Sequence, residues 1–324
     1  MEQLSKNNIN EFFCDMKIVL TDNISDTELT SSCSSEEELE REANDEVGTT
    51  RTNVVYLNTD CNLRCEYCYE KDSREGLPDQ ADCSKEQIDS FLKEIQEREK
   101  GMNSCIVVMG GEPLLRFDLL EYLIRKAMTM EKPEGWAIPV TTNGMMFLSK
   151  RLISKYRTLM DDVNKSSNVI HDIEISFDVS GQFRRKMPDG SDSRPYVEKG
   201  IKNLIEAELP FRFSYTVHKG NYNNIIEDII YLFETYPLVP RVSLSWAQQE
   251  LDEVLGPRGG FKLKKEIYPY AVHLFERYGK PICDLACSLC KLCNKSTSVG
   301  NAYLSPTEGI LYANKRTERT FIQF

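Results

Sequence analysis

At residues 53–68 the chain reads NVVYLNTDCNLRCEYC, a β-rich run that leads directly into three closely spaced cysteines. The thiolates of Cys61, Cys65 and Cys68 can face one metal centre, because soft sulfur ligands select iron–sulfur clusters, zinc or copper(I). A structural zinc site needs four ligands, and no histidine or fourth cysteine lies nearby in the sequence. A four-iron cluster held by three cysteines instead leaves one iron open to another ligand. The stretch therefore predicts a strand followed by an iron–sulfur centre, with a zinc site completed from elsewhere in the chain as the alternative.

Beyond this stretch, β-rich runs alternate with amphipathic helical patterns. The predicted strands are Asn53–Asn58, Ile106–Gly110, Ile138–Thr142, Ile173–Asp178, Phe211–Val217 and Val242–Trp246. The predicted helices are Ser84–Glu97, Phe117–Met130, Ser149–Asp161, Tyr196–Glu208, Ile225–Tyr236 and Lys262–Tyr278. Six β–α units in a row predict parallel strands in an α/β fold, a partial and open (β/α)6 TIM-like barrel, with a doubly wound sheet as the alternative. In both architectures we expect the chemistry at the carboxyl ends of the strands.

The charge of the chain is unevenly distributed. The net charge of −11 comes almost entirely from residues 1–50, which carry 13 acidic and three basic side chains. One strand is predicted near residues 16–20, but the stretch 31–46 is too polar to pack, so we expect an acidic, largely flexible N-terminal arm. The nearly neutral remainder gives no basic footprint for nucleic acid. The sequence has neither a signal pattern nor a run of about 20 apolar residues, and it therefore predicts a soluble, cytoplasmic protein without a membrane partner.

Seven of the eleven cysteines fall in two tight groups, which is the grouping that metal binding needs. The second group predicts another metal centre in a C-terminal extension at 281–324, after a core at 51–280; its members are Cys283, Cys287, Cys290 and Cys293. Four thiolates can close a site by themselves, so an auxiliary iron–sulfur cluster and a structural zinc site are both open. The scattered cysteines are assigned no function, and Cys105 is expected to be a small buried apolar side chain.

The three-cysteine motif closely resembles the signature of the radical S-adenosylmethionine (radical SAM) superfamily, and the likeness continues from about residue 53 to residue 246. Tyr67 occupies the place of the aromatic residue that the family usually has before its third cysteine, which implies packing near the adenine. Gly110, Gly111, Glu112 and Pro113 match the family's GGEP segment, whose backbone and Glu bind the methionine ammonium of SAM. Glycines let a backbone approach a ligand closely, and a carboxylate suits a cation.

The ends of the next two strands extend this resemblance. Asn143 lies in a Thr-Asn-Gly segment like that of the family. Ser176 and Asp178 match the Ser-Leu-Asp-Gly segment of family members that modify peptides, which implies positions near the ribose or the substrate. Val179 replaces the glycine of that segment, so the turn after the strand is expected to differ.

Farther along the chain, an arginine of the family usually contacts the methionine carboxylate, a pairing that suits guanidinium geometry. Arg185 is assigned this role, with Arg184 as its rival. His218, at the end of the fifth strand, is interpreted as a surface or turn histidine, with a position lining the cavity as the alternative. Trp246 is interpreted as an aromatic residue of the core, with a substrate contact as the alternative.

The resemblance implies a [4Fe–4S] cluster that, once reduced, cleaves SAM to methionine and a 5′-deoxyadenosyl radical, which abstracts hydrogen from a substrate. The expected partners are a reductant such as flavodoxin or ferredoxin and a peptide or protein substrate, as in sulfatase maturases. The C-terminal cysteines resemble the start of a SPASM or twitch extension, and residues 305–312 look like its β-hairpin, but Asn314 stands where a cysteine is expected.

Two other functions remain open. One is radical SAM chemistry on a nucleotide, a tRNA or a small metabolite. The other is a non-catalytic iron–sulfur or zinc protein, which would have no need for polar segments at five successive strand ends.

Overall fold

The structure is a computed structural model that describes residues 51–68 and 81–283, together with two short strands at 303–305 and 309–311. Its centre is a curled half-barrel of six parallel strands. These strands are β1 (Arg51–Tyr56), β3 (Ser104–Met109), β4 (Trp136–Thr142), β5 (Val169–Ser176), β7 (Arg212–Val217) and β8 (Val242–Trp246). Two-residue strands, β2 (Arg64–Cys65) and β6 (Arg185–Lys186), pair with each other outside this sheet. The predicted partial barrel of the α/β class is confirmed.

Helices follow the strands in the predicted order, with ends that agree to within a few residues. They are α1 (Lys85–Arg98), α2 (Phe117–Thr129), α3 (Lys150–Lys165), α4 (Arg194–Glu206), α5 (Ile225–Thr235), α6 (Gln248–Leu255) and α7 (Gly259–Tyr278). A capping box sets the start of α1, because the Ser84 side chain accepts from the Gln87 N–H and the Gln87 side chain accepts from the Ser84 N–H. The short helix α6 was not predicted.

The two faces of the sheet differ in chemistry because side chains alternate along each strand. On β7, Phe213, Tyr215 and Val217 belong to the buried core between the sheet and the helices, as does Trp246, which confirms its interpretation as a core residue. The alternate residues of β7, Arg212, Ser214 and Thr216, therefore face the inside of the half-barrel, which we call the lumen.

The sheet extends beyond the six predicted strands at both edges. The strand β9 (Ile282–Cys283) pairs in parallel with β8, and β10 (Tyr303–Ser305) pairs in parallel with β1. The strand β11 (Gly309–Leu311) forms an antiparallel hairpin with β10, at the predicted position of a hairpin.

Several predictions concern segments that the structure does not describe. The N-terminal arm with its strand near 16–20 lies outside the described residues, as do Cys287, Cys290, Cys293 and the side chain of Cys283. Across the helices that the structure does describe, none has the length and apolar character needed to cross a membrane.

Candidate functional site: the cysteine loop and the surrounding strand ends

The cysteine loop, residues 61–68, follows β1 and is fixed by the burial of Leu63 and by hydrogen bonds within the loop. Leu63 is 1% exposed and anchors the loop in the core. Its N–H donates to Sγ of Cys61 at 3.4 Å, the Arg64 guanidinium donates to the carbonyl of Cys61 at 2.7 Å, and the Cys68 N–H donates to the carbonyl of Cys65 at 3.3 Å. The loop therefore presents its three thiols from a backbone with fixed hydrogen bonds.

The chemistry of this donor set fits an iron–sulfur cluster. The three thiols are partly buried and form no disulfide. Burial raises the pKa of the Cys65 thiol to about 12, and the positive charge of Arg185 opposes this shift. Such a thiol ionises readily only when a metal takes up its charge.

A zinc ion and a four-iron cluster need different spacings of their sulfur ligands. Among residues 51–68 and 81–283, no three His, Cys, Asp or Glu side chains lie close enough to hold a single metal ion. One zinc ion needs its sulfur ligands about 4 Å apart, given Zn–S bonds of about 2.3 Å. In a four-iron cluster each cysteine can bind its own iron atom, so the sulfurs lie farther apart.

A buried arginine connects the cysteine loop to the opposite side of the half-barrel. Cys65 pairs with Arg185 across β2 and β6, and the Glu66 N–H donates to the carbonyl of Arg184 at 3.0 Å. The Arg184 guanidinium donates to Glu66 at 3.0 Å and to both carboxylate oxygens of Glu250, on α6, at 2.5 and 2.7 Å. The sequence analysis did not predict a role for Glu66 or Glu250. The position of Glu66 between Cys65 and Cys68 was a signal for the first of them.

The GGEP segment lies against the cysteine loop. A Cβ atom at Gly110, where φ is +152°, would lie 2.6 Å from Oδ1 of Asn58, and one at Gly111 would lie 2.1 Å from the carbonyl oxygen of Asp60. Both positions therefore require glycine because the segment before the cysteines lies so close to them. The sequence analysis had explained the two glycines by the close approach of a ligand. Next in the chain, a short 3-10 helix begins at Pro113 (Pro113–Arg116).

The Glu112 carboxylate is 1% exposed and joins the ends of β3 and β4. It accepts hydrogen bonds from Oγ1 of Thr142 at 2.6 Å, from the Asn143 N–H at 2.8 Å and from the Leu114 N–H at 3.0 Å. Burial raises the pKa of Glu112. Asn143 in turn donates to the side chain of Asn62 at 2.7 Å. The role of this carboxylate toward a ligand stays a prediction, because all these partners belong to the protein.

Asp178, fully buried at the end of β5, is the centre of a second network. Its carboxylate accepts two hydrogen bonds from Arg185, at 2.7 and 3.1 Å, and one from the Thr216 N–H at 2.8 Å. The Tyr67 hydroxyl also donates to Asp178. Arg185 is therefore held by Asp178, whereas its rival Arg184 is held by Glu66 and Glu250. The contact of Arg185 with a ligand stays a prediction.

His218 is completely buried, so the prediction of a surface histidine is wrong, although its carbonyl does accept the Asn221 N–H in a turn. Its ring stacks on Tyr67 with centroids 4.6 Å apart, and burial lowers its pKa to about 4. The Gly220 N–H donates to Nδ1 at 3.0 Å, so the proton of the neutral ring is on Nε2, which has no hydrogen-bond partner within the described residues. No local pattern in the sequence signals this burial, because Tyr67 is 151 positions away in the chain.

The remaining predicted residues lie nearby. Ser176 is in register with Ser214 of the adjacent strand and is 8% exposed. Val179 has φ +45°, the left-handed conformation that a glycine adopts without strain, so the turn keeps a glycine-like backbone although its residue differs. Cys105, predicted to be a small buried apolar side chain, is half-buried.

Comparison with known proteins places the chain in a family. The sequence profile of the radical SAM superfamily matches residues 55–232, more than half of the chain. The chain therefore belongs to the radical SAM superfamily.

The relatives and structural neighbours give finer likenesses. The chain is 27% identical to the GTP 3′,8-cyclase of Sulfurovum sp. over 226 residues, which cover 69% of this chain and 64% of that protein. It is 29% identical to the GTP 3′,8-cyclase of Listeria monocytogenes over 171 residues, which cover 52% of this chain and 46% of that protein. The match thus spans about half to two thirds of the length of these relatives.

Among solved structures, native anSMEcpe with bound AdoMet superposes with a TM-score of 0.59 at 18% identity, covering 81% of this chain and 74% of that one. SuiB of Streptococcus suis bound to S-adenosylmethionine gives a TM-score of 0.52 at 15% identity, covering 96% of this chain and 72% of that one. These likenesses show the fold.

Proposed function

We propose that this chain binds a [4Fe–4S] cluster through Cys61, Cys65 and Cys68, cleaves SAM reductively, and acts on a nucleotide. The observation that carries the proposal is the meeting of the cysteine loop with the ends of β3, β4, β5 and β7, through the networks of Glu112 and Asp178. The family implies both the cluster and SAM.

The cluster and SAM would supply a carbon radical that abstracts hydrogen. The protein would supply binding and orientation. Arg185 uses Nε and Nη2 in its hydrogen bonds to Asp178 and Thr216, so Nη1 is the atom available to the methionine carboxylate. Tyr67 is expected near the adenine, and the backbone of Gly110 and Gly111 near the ammonium.

The nucleotide part of the proposal rests on the relatives, which are named GTP 3′,8-cyclases. A peptide or protein substrate, predicted from the sequence, is the second candidate. Its support is the resemblance of Ser176 and Asp178 to peptide-modifying enzymes, whereas the SuiB structure with a precursor peptide is only 16% identical and shares the fold alone.

The test uses the full-length chain, reconstituted with iron and sulfide without oxygen and supplied with dithionite and SAM. GTP, ATP, CTP and UTP, each deuterated on the ribose, are added separately. We expect one nucleotide to be consumed and its deuterium to appear in 5′-deoxyadenosine. Formation of 5′-deoxyadenosine at an unchanged rate with every nucleotide, and without deuterium, would reject the nucleotide and favour the peptide.

We also propose that Cys283, Cys287, Cys290 and Cys293 bind an auxiliary iron–sulfur cluster, with zinc as the alternative. A variant with Cys61, Cys65 and Cys68 all replaced by Ala isolates the second centre. Iron and sulfide retained by this variant support the auxiliary cluster, whereas zinc alone contradicts it.

A further inference from the structure

Three serines occupy neighbouring positions on three adjacent strands of the half-barrel. Ser176 on β5 is in register with Ser214 on β7, and Ser214 is in register with Ser243 on β8. Adjacent strands lie about 4.8 Å apart, so the serines form a row about 10 Å long. We call this set the serine row.

The serine row faces the lumen. Tyr215, next to Ser214, points to the helix side, where its hydroxyl donates to Asp228 of α5 at 2.6 Å. Leu244, next to Ser243, belongs to the same buried core. Since neighbouring side chains of a strand point to opposite faces, the hydroxyls of the row point into the barrel.

The hydroxyls of the row have no partner in the described part of the chain. Ser176 and Ser214 are 8% and 7% exposed, yet neither hydroxyl, nor that of Ser243, forms a hydrogen bond with any described residue. The oxygens of these hydroxyls are not among the fully buried atoms that lack a partner, so they reach the open lumen, and Ser243 is half-buried. Three adjacent hydroxyls that are free of protein partners and open to a concavity form a surface that a polar ligand can cover.

The charges around the row indicate which part of a ligand it takes. Arg212 is paired with Asp172 and Glu174, at 2.5 and 3.3 Å, and Arg185 is paired with Asp178 at 2.7 Å. In this part of the described lumen the cations are balanced by carboxylates, which does not suit a triphosphate. Hydroxyls both donate and accept, as the hydroxyls of a ribose and the edge of a base require.

We infer that Ser214 and Ser243 bind the nucleoside part of the substrate and orient it below the SAM site. This inference rests on the proposed nucleotide substrate and assigns the residues that recognise it. Ser176, the third member of the row, is nearest to the predicted SAM contacts and is therefore left unchanged in the test.

The experiment measures binding to the reconstituted, SAM-loaded full-length chain by anoxic equilibrium dialysis. The probes are GTP, guanosine and inorganic triphosphate. The variants are Ser214→Ala, Ser243→Ala and the double variant, with Ser154→Ala, exposed on α3, as the matched control. We expect the double variant to raise the Kd of GTP and of guanosine about 10-fold by loss of two hydrogen bonds, while triphosphate binding and Ser154→Ala remain at the wild-type level.

The outcomes separate the two proposals. Wild-type affinity of the double variant for GTP and guanosine overturns the role of the row and leaves the nucleotide substrate standing. An equal loss for inorganic triphosphate also overturns it, because the row would then act on the phosphates or on the fold as a whole. Failure of the wild-type chain to bind any of GTP, ATP, CTP, UTP and guanosine overturns both proposals.

Discussion

The strand ends and the serine row belong to the same half-barrel, but their polar groups differ completely in pairing. At the strand ends, Glu112 and Asp178 each accept three or more hydrogen bonds from the protein. In the row, Ser214 and Ser243 accept none from the described residues. The strand ends thus have a geometry that the protein fixes in advance, whereas the row has donors and acceptors left over for a ligand.

The lumen itself is also divided. Its β1–β4 side presents mostly apolar residues such as Val54, Val107 and Pro139, with Thr141 as a polar exception. Its β5–β8 side presents the serine row and the Arg212 ion pairs. A ligand in the lumen therefore meets an apolar wall on one side and a polar wall on the other, which suits a planar base joined to a sugar.

The largest effect is expected from breaking a network at the strand ends. Asp178→Asn leaves the buried Arg185 guanidinium without its carboxylate, which should lower the free energy of unfolding by about 3 to 5 kcal/mol. The measurement is urea unfolding at pH 7. Asp118→Asn is the control, because its pair with Arg116 is 3.0 Å long but largely exposed, and should cost less than about 1 kcal/mol. Equal losses in the two variants would contradict the role of Asp178 as the partner of a buried charge.

A buried histidine on the helix side of β5 gives a pH-dependent effect of nearly the same size. His171 accepts from the Tyr156 hydroxyl at 2.5 Å and donates to the carbonyl of Ile138, and burial lowers its pKa to about 4 from an ordinary 6.5. Below pH 6.5 His171 becomes protonated in the unfolded chain but stays neutral in the folded chain. The free energy of unfolding therefore falls as the pH falls from 6.5 toward 4. The expected loss is about 3 kcal/mol.

The His171 contribution is isolated by subtraction, since raised carboxyl pKa values elsewhere, as at Asp228, act in the opposite direction. The free energies of unfolding of the wild type and of His171→Gln are measured from pH 7 to pH 4. The free energy of unfolding of the wild type minus that of His171→Gln should fall by about 3 kcal/mol between pH 7 and pH 4. A difference that is constant over this range would contradict the assigned burial.

The clamp on the cysteine loop should give an intermediate effect. Glu250→Gln removes the charge that Arg184 contacts with two nitrogens, and the loss of charged hydrogen bonds should cost about 1.5 to 3 kcal/mol of stability. Glu253→Gln, on the same helix, is the matched control because its pair with Lys219 is exposed and 3.6 Å long. Chemical denaturation of both variants provides the comparison, and indistinguishable midpoints would show that Arg184 is not a clamp.

The smallest effect is expected at two residues with a left-handed backbone conformation, Val179 at the strand ends and Glu208 far from them. Glu208, with φ +53°, is exposed, so Glu208→Gly should raise the free energy of unfolding by up to about 1 kcal/mol as its strain is relieved. Val179→Gly relieves similar strain but removes a buried side chain, and should therefore lower stability by about 1 kcal/mol. Thermal melting of the two variants checks the opposite signs. Melting temperatures that shift in the same direction would show that burial of the Val179 side chain does not outweigh its backbone strain.

The sequence predicted the fold well because every barrel strand and the helices α1 to α5 carry clear periodic patterns or caps, such as Ser84 before α1. The helix α7 was also predicted, but three residues too short, and α6 was missed because eight residues contain too few apolar repeats to detect. The edge strand β9 and the pairing of β10 with β1 depend on segments far apart in the chain, which a local pattern does not encode.

The site was predicted in part for the same physical reason. Motifs that follow a strand directly, such as Gly110-Gly111 and Asp178, could be located from the sequence alone. Contacts between segments far apart in the chain could not, which is why His218 was placed at the surface and the partners of Arg184 were not found. The register that aligns Ser214 with Ser243 likewise requires the assembled sheet.

The most direct test compares 5′-deoxyadenosine formation by the wild-type chain and by Cys65→Ala, both reconstituted without oxygen and supplied with dithionite and SAM. We expect a brown wild-type protein that contains iron and sulfide and cleaves SAM, and a Cys65→Ala protein that yields no product above the buffer control. Cleavage of SAM by Cys65→Ala at the wild-type rate, or a colourless wild-type protein without inorganic sulfide, would contradict the proposal that the three cysteines hold a SAM-cleaving cluster.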